Sequence, residues 1–220
     1  MNVLVIAPHP DDETLGCGGT LIRHVQLGDR VSAIFLTSGE LGLKQMPQEE
    51  AWRVRESEAQ NAAQVLGLAD VHFLRCPDWF LSDHIEDTAA LLRSLLARLQ
   101  PALIYVPHVL EWHPDHKAAL PVLTMALDPP YAPSLSIRTY EVWTPMSEFD
   151  HVEDITGSME QKLRAVRCYA SQLTELHYDR AIEGLNAYRG EMAARRPYAE
   201  VFATLDPAIY LPQTETENPE

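Results

Sequence analysis

The chain has little cysteine and little positive charge, and no long apolar run. Its 220 residues include three cysteines, Cys17, Cys76 and Cys168. They are too few and too scattered for a disulfide framework or a paired-cysteine zinc site, which points to a reducing compartment, the cytoplasm. No stretch approaches the roughly 18 apolar residues a membrane helix requires, and the N-terminus lacks the pattern of a secretory signal. Lys and Arg number 17 against 32 Asp and Glu, a net charge of −15. Phosphate backbones and anionic lipid surfaces would be repelled, so neither nucleic acid nor membrane is expected as a partner. What remains is ordinary globular composition, 46% hydrophobic and 22% charged, long enough to bury a core without covalent staples. One domain is expected over residues 1–211, with a polar tail over 212–220 that is expected to fray.

Strand-like and helix-like segments alternate along the chain. Strands are predicted at Asn2–Ala7, Val31–Gly39, 71–76, 102–108 and 136–145, with a last short one at 201–205. Helices are predicted between them and again at 159–173 and 178–196. The clearest is 85–101, where Ile85, Ala89, Leu92, Leu96 and Leu99 recur at three- and four-residue spacing and form one apolar stripe. Repeated strand–helix alternation implies right-handed crossover units, a mostly parallel sheet and helices on both faces. In such sheets ligands bind beyond the carboxyl ends of the strands. The loops after Ala7, Leu36, Leu74 and Val106 are therefore the ones to inspect.

Two of those loops carry concentrated chemistry. The first strand breaks into His9-Pro10-Asp11-Asp12-Glu13, and the fourth leads to His113-Pro114-Asp115-His116. Three adjacent carboxylates repel one another and are costly to bury. Either turn alone could be a helix cap, since acids favour a helix N-terminus. Together, at the ends of strands of one sheet, they suit a divalent cation. His9 and Asp12, and His113 and His116, share a three-residue spacing that lets each pair face one atom. Two imidazoles and a carboxylate with an open position suit catalytic zinc, and also iron. A further acid beside them could take a proton from water. The "GCGGT" segment that follows lacks the third glycine of a dinucleotide loop; Gly16, Gly18 and Gly19 read as close helix packing and Cys17 as a small buried residue. His24, His72, His84, His151 and His177 have no ligand-spaced partner and read as structural or surface residues.

With both turns in place, the chain resembles the LmbE-like (PIG-L) family of zinc-dependent N-acetylglucosaminyl deacetylases. The likeness rests on "APHPDDE" and "HPDH", and extends through "LTSGE", "RESEAQNAAQVLG", "YEVWTP", the Lys162–Gln172 segment and "YAEVF". It implies a Rossmann-like three-layer α/β sandwich. It implies His9, Asp12 and His116 as ligands of Zn2+, with Fe2+ as the alternative. Asp11 becomes the general base, and His113 polarises the acetyl carbonyl or protonates the leaving amine. Asp115 would orient His113 or merely be solvated at the start of its helix. Arg55 would contact the sugar or pair with Glu58. Asp78 would bind a hydroxyl, although "CPDWFL" departs from the family's commoner pattern. Trp79 would stack on a sugar or cover the core, and Glu40 is a further substrate candidate. The implied substrate is a small GlcNAc conjugate such as GlcNAc-malate or a chitin-derived sugar, and the implied assembly is a homo-oligomer, a hexamer or trimer. Two other readings stand beside this one: hydrolysis of another amide or an ester, and a carbohydrate- or metal-binding module without turnover.

Overall fold

The computed structural model describes residues 1–127 and 135–205. The expected polar tail, and the domain boundary before it, lie outside the described residues. Seven strands form one sheet: β1 (Asn2–Ala7), β2 (Arg30–Thr37), β3 (Asp70–Cys76), β4 (Leu103–Pro107), β5 (Ser136–Tyr140), β6 (His151–Asp154) and β7 (Ala199–Leu205). Their order is β3-β2-β1-β4-β5-β7-β6. The first five run parallel, while β7 is antiparallel to both β5 and β6.

Successive side chains of a strand face opposite ways, and here both faces are covered. Val3, Val5 and Ala7 of β1 join Phe35 and Tyr105 on one face. That face is packed by α1 (Asp12–Gln26), α2 (Gln48–Leu66), α5 (Met159–Val166) and α7 (Tyr178–Arg189). Leu4 and Ile6 join Ile34, Leu36, Ile104 and Val106 on the other, under α3 (Ile85–Leu99) and α4 (Pro114–Ala126). Burial on both sides is why the central strands read as unbroken apolar runs. The three-layer α/β sandwich expected from the sequence is the observed fold. Gly16 lets α1 approach the sheet: a Cβ there would stand 2.2 Å from the Tyr140 ring.

The late elements depart from the expected ones. β5 stops at Tyr140, because the next residues are pulled away by buried acids. Glu141 accepts the Met146 N–H at 2.6 Å, and Glu111 accepts those of Val142 and Thr144 at 2.7 and 3.1 Å. β6, "HVED", was not expected; it is half-buried and edge-paired to β7, so it shows no apolar alternation. The helix expected over 159–173 ends at Val166, and a separate turn, α6, covers Ala170–Leu173. Between them Tyr169 plunges into the core to reach Glu13. The helix expected over 178–196 ends at Arg189 and loosens over Gly190–Ala194. Arg189 is held there by a two-pronged ion pair with Glu141, at 3.0 and 2.7 Å.

Candidate active site

The strand order reverses at β1, which lies between β2 and β4. Such a switch point opens a crevice at the carboxyl edge of the sheet. Val3, Leu4 and Val5 pair in register with Leu103, Ile104 and Tyr105, so the two histidine-bearing turns emerge side by side.

The adjacent acids after β1 avoid mutual repulsion by pointing three ways. Asp12 turns toward the imidazoles: its Oδ2 lies 3.2 Å from His9 Nδ1 and 3.1 Å from His116 Nε2. The two imidazole nitrogens are 3.3 Å apart. These three atoms form a nearly equilateral triangle. Ligands about 2.0–2.1 Å from a tetrahedral zinc stand roughly 3.3 Å apart, so the donor set fits a divalent cation. The other polar atoms of these two side chains, Asp12 Oδ1 and His116 Nδ1, are buried without a hydrogen-bond partner. Burial opposes ionisation of Asp12, but His116 and His9 hold its pKa well below the usual carboxylate range. On its far side His9 Nε2 meets Asp115 Oδ2 at 3.1 Å and Asp78 Oδ1 at 3.2 Å. Burial pulls the His9 pKa down, yet these carboxylates and Asp12 prevail and raise it. A carboxylate behind a ligating histidine fixes its tautomer and orientation.

Asp11 points elsewhere. It caps α1 by position, but its carboxylate makes no cap hydrogen bond. Its backbone is strained, with φ 125°, a region costly for a side-chain-bearing residue. Its N–H donates to Glu13 Oε2 at 3.2 Å, its carbonyl accepts the N–H groups of Thr14 and Leu15 at 3.0 and 2.8 Å, and Arg55 Nη2 donates to its Oδ2 at 3.2 Å. Burial raises the Asp11 pKa to about 6, against the pull of Arg55. Glu13, the third acid, turns into the core to Tyr169 Oη at 2.5 Å, and burial raises its pKa to about 7.

His113 caps α4, its Nδ1 accepting the Asp115 N–H at 3.2 Å. The proton of its neutral ring therefore sits on Nε2. Burial, then the neighbouring His9 and His116, lower its pKa to about 4. Asp115 was expected either to orient His113 or to be solvated at the helix start. The contact to His113 is made by its backbone N–H, and its side chain is buried rather than solvated. The carboxylate accepts the N–H groups of Trp79 (2.7 Å) and Leu81 (3.1 Å) and faces His9.

Arg55 is buried. It donates to the Pro10 carbonyl and to Asp11, and stands 3.8 Å from Glu58. Its Nε and Nη1 have no hydrogen-bond partner. Gly39, at φ 63°, makes room for it: a Cβ there would lie 3.2 Å from two guanidinium nitrogens. Asp78 accepts the Leu41 N–H at 2.9 Å. Glu40 receives Gln48 Nε2 at 3.2 Å and the Asp78 N–H at 3.5 Å, and supports the loop from behind. A cleft of about 110 Å3 unites His9, Asp11, Arg55, Asp78, Trp79 and His113, together with Trp143, Gln172 and Tyr178. Glu40 does not line it. Two larger clefts, near 480 and 470 Å3, lie at the other sheet edge and beside Met146, and hold none of these groups.

Sequence reasoning missed Glu111, His108, Trp143, Gln172 and Tyr178. Glu111 is fully buried and accepts the N–H groups of Val142, Trp143 and Thr144 at 2.7, 3.1 and 3.1 Å. It stands 3.9 Å from His116 Nδ1 and 3.5 Å from His108 Nε2. Despite burial, His108 and these amides hold its pKa below the usual range. Its one sequence signal is its place two residues before His113.

A buried triangle of two imidazoles and a carboxylate, flanked by a further acid, at the switch point of a parallel sheet defines a class of candidate metal-dependent catalyst. The comparisons narrow it. Residues 4–127 match the family described as PIG-L, GlcNAc-PI de-N-acetylase, and the chain belongs to that family. A diacetylchitobiose deacetylase of Thermococcus kodakarensis is 29% identical over 95% of this chain and 84% of its own. A conserved protein of Thermus thermophilus has a structure with TM-score 0.78 and 31% identity, covering 98% of this chain and all of that one. The N,N'-diacetylchitobiose deacetylase of Pyrococcus horikoshii shares the fold, with TM-score 0.81 and 24% identity over 98% of this chain and 87% of its own.

Proposed function

We propose that the chain is a metal-dependent hydrolase that removes the N-acetyl group from a GlcNAc-containing small molecule, releasing acetate and a free amino sugar. The observation that carries this reading is the His9–Asp12–His116 triangle with Asp11 and His113 on its cleft side. A divalent cation held there, zinc in the first instance and iron(II) as the alternative, would acidify a water and polarise the amide carbonyl.

The chain's own groups do the rest. Asp11, ionised, accepts the proton of the attacking water at a carboxylate oxygen, and its strained backbone keeps that carboxylate turned to the cleft. Burial makes Asp11 more basic than an exposed aspartate, which suits a base working near neutral pH. His113, neutral and protonated on Nε2, donates to the carbonyl oxygen as negative charge develops there. The proton on Asp11 is then available to the departing amine. Arg55 and Asp78 border the same cleft, where they would meet sugar hydroxyls as donor and acceptor. A homo-oligomer, hexamer or trimer, in the cytoplasm is the accompanying proposal. All three cysteines are free, and no helix among the described residues is long and apolar enough to cross a membrane.

The test is release of primary amine from a panel of N-acetylglucosamine compounds by metal-loaded protein, with and without chelator. Chelator-sensitive release supports the reading. Release only from unrelated amides or esters, or none at all, overturns it.

A further inference from the structure

Beside the cleft, two tryptophans stand in water. Trp79 is 44% exposed and Trp112 is 56% exposed. Their rings lie 6.5 Å apart, inclined at 56°. Both rest on His113, at 4.4 Å and 5.4 Å between ring centres. They come from different elements, the loop after β3 and the turn before α4, and each is fastened at its backbone. The Trp79 N–H donates to Asp115 at 2.7 Å and that of Trp112 to Thr144 Oγ1 at 3.2 Å. Trp79 is held at φ 72°, a conformation that bulky residues seldom adopt without a reason. Large apolar groups exposed together and fixed from behind mark a binding surface.

Charge says what that surface takes. Among the residues lining the cleft the only cationic side chain outside the histidines is Arg55, and it is buried against Asp11 and Glu58. Asp11 and Asp78 border the same space, on a chain of net charge −15. Among these cleft-lining residues a carboxylate or phosphate on the substrate would meet two acids and, as counter-charge, only the already paired Arg55. A neutral pyranose offers an apolar C–H face to an aromatic wall and its hydroxyls to water.

Building on the deacetylase reading, we propose that Trp79 and Trp112 form a second subsite. It takes an uncharged sugar ring joined to the reacting GlcNAc, and the enzyme prefers such conjugates to those with an acidic aglycone.

The experiment compares kcat/KM of the metal-loaded enzyme for GlcNAc, N,N'-diacetylchitobiose and GlcNAc-malate. The disaccharide is expected to exceed each of the others at least tenfold. Trp112→Ala combined with Trp79→Asn, asparagine being chosen because it tolerates the left-handed backbone, should bring the disaccharide-to-GlcNAc ratio close to one. A second readout is tryptophan fluorescence of the metal-loaded Asp11→Asn protein titrated with N,N'-diacetylchitobiose; the added tryptophan substitutions should weaken binding at least tenfold. The melting temperature checks that the variants fold. Deacetylation of none of the three compounds overturns the deacetylase reading itself. Deacetylation with GlcNAc-malate preferred, or with an unchanged ratio in the variant, overturns the subsite alone. A change of oligomeric mass in the variant with an unchanged ratio also overturns it, and assigns the tryptophans to contacts between copies.

Discussion

At the scale of single residues, the proposed mechanism separates holding a cation from moving a proton. Asp11→Asn keeps shape and turn but removes the proton acceptor. Metal content should stay at the wild-type level while kcat falls by roughly 10²- to 10⁴-fold; near-wild-type kcat in a metal-loaded variant would transfer the role of base to another group. As the proposed base Asp11 would work only as the carboxylate, so kcat/KM should fall as pH drops through its pKa. Burial places that at about 6, and a bound cation pulls it lower, so the acid limb of the profile is expected at or below that pH. Glu111 acts at one remove, facing His116 Nδ1 while clasping the amides of residues 142–144. Loss of such a carboxylate typically weakens metal binding by about 10- to 100-fold. Glu111→Gln should show that loss in a chelator competition, a readout independent of turnover. The histidines and Asp12 could be singled out from spacing because one turn supplies each pair. Glu111 could not, because its partners lie on a loop some thirty residues on. Asp115 sits where the motif puts it, yet its carboxylate serves His9, a partner that only the pairing of β1 with β4 brings near.

Among the elements, what could be read from sequence and what could not divide along a physical line. β1, β2 and β4 are buried on both faces, so burial itself wrote their apolar runs. α3 shows its stripe because one face is buried; Ala89, Leu92 and Leu96 are the core residues that stripe predicts. β6 has one neighbour and half-exposed side chains, so nothing in "HVED" distinguishes it from a loop. The breaks at Val166 and Arg189 are set by buried polar contacts from distant segments. The motif around Lys162 and the "YAEVF" stretch find their explanation here too. Lys162, fully buried on α5, donates to Leu15 O, Asn186 Oδ1 and Glu200 Oε1 at 2.8, 2.8 and 2.7 Å. Glu200 of β7 also accepts the N–H groups of Gly19 and Thr20 at 2.9 and 2.8 Å. This network joins α1, α5, α7 and β7 behind the site. Lys162→Ala would strand a carboxylate in the core, which costs roughly 3–5 kcal/mol. Denaturant unfolding should show a loss of that size; a change below about 1 kcal/mol would mean that water reaches Glu200.

For the molecule as a whole, one sheet brings the ends of β1 and β4 together, and helices on both faces fix the turns that leave them. The fold alone leaves the chemistry open; the donor triangle narrows it, and the central claim is that this triangle holds the one cation on which deacetylation depends. Stepwise addition of zinc to chelator-treated protein tests it most directly, with bound metal and amine release from an N-acetylglucosamine compound measured on the same samples. Activity should rise in proportion to occupancy and stop rising at one ion bound per chain, and His116→Ala should show neither rise. Full activity at negligible occupancy, or a one-to-one ion that leaves amine release at zero, would contradict the account.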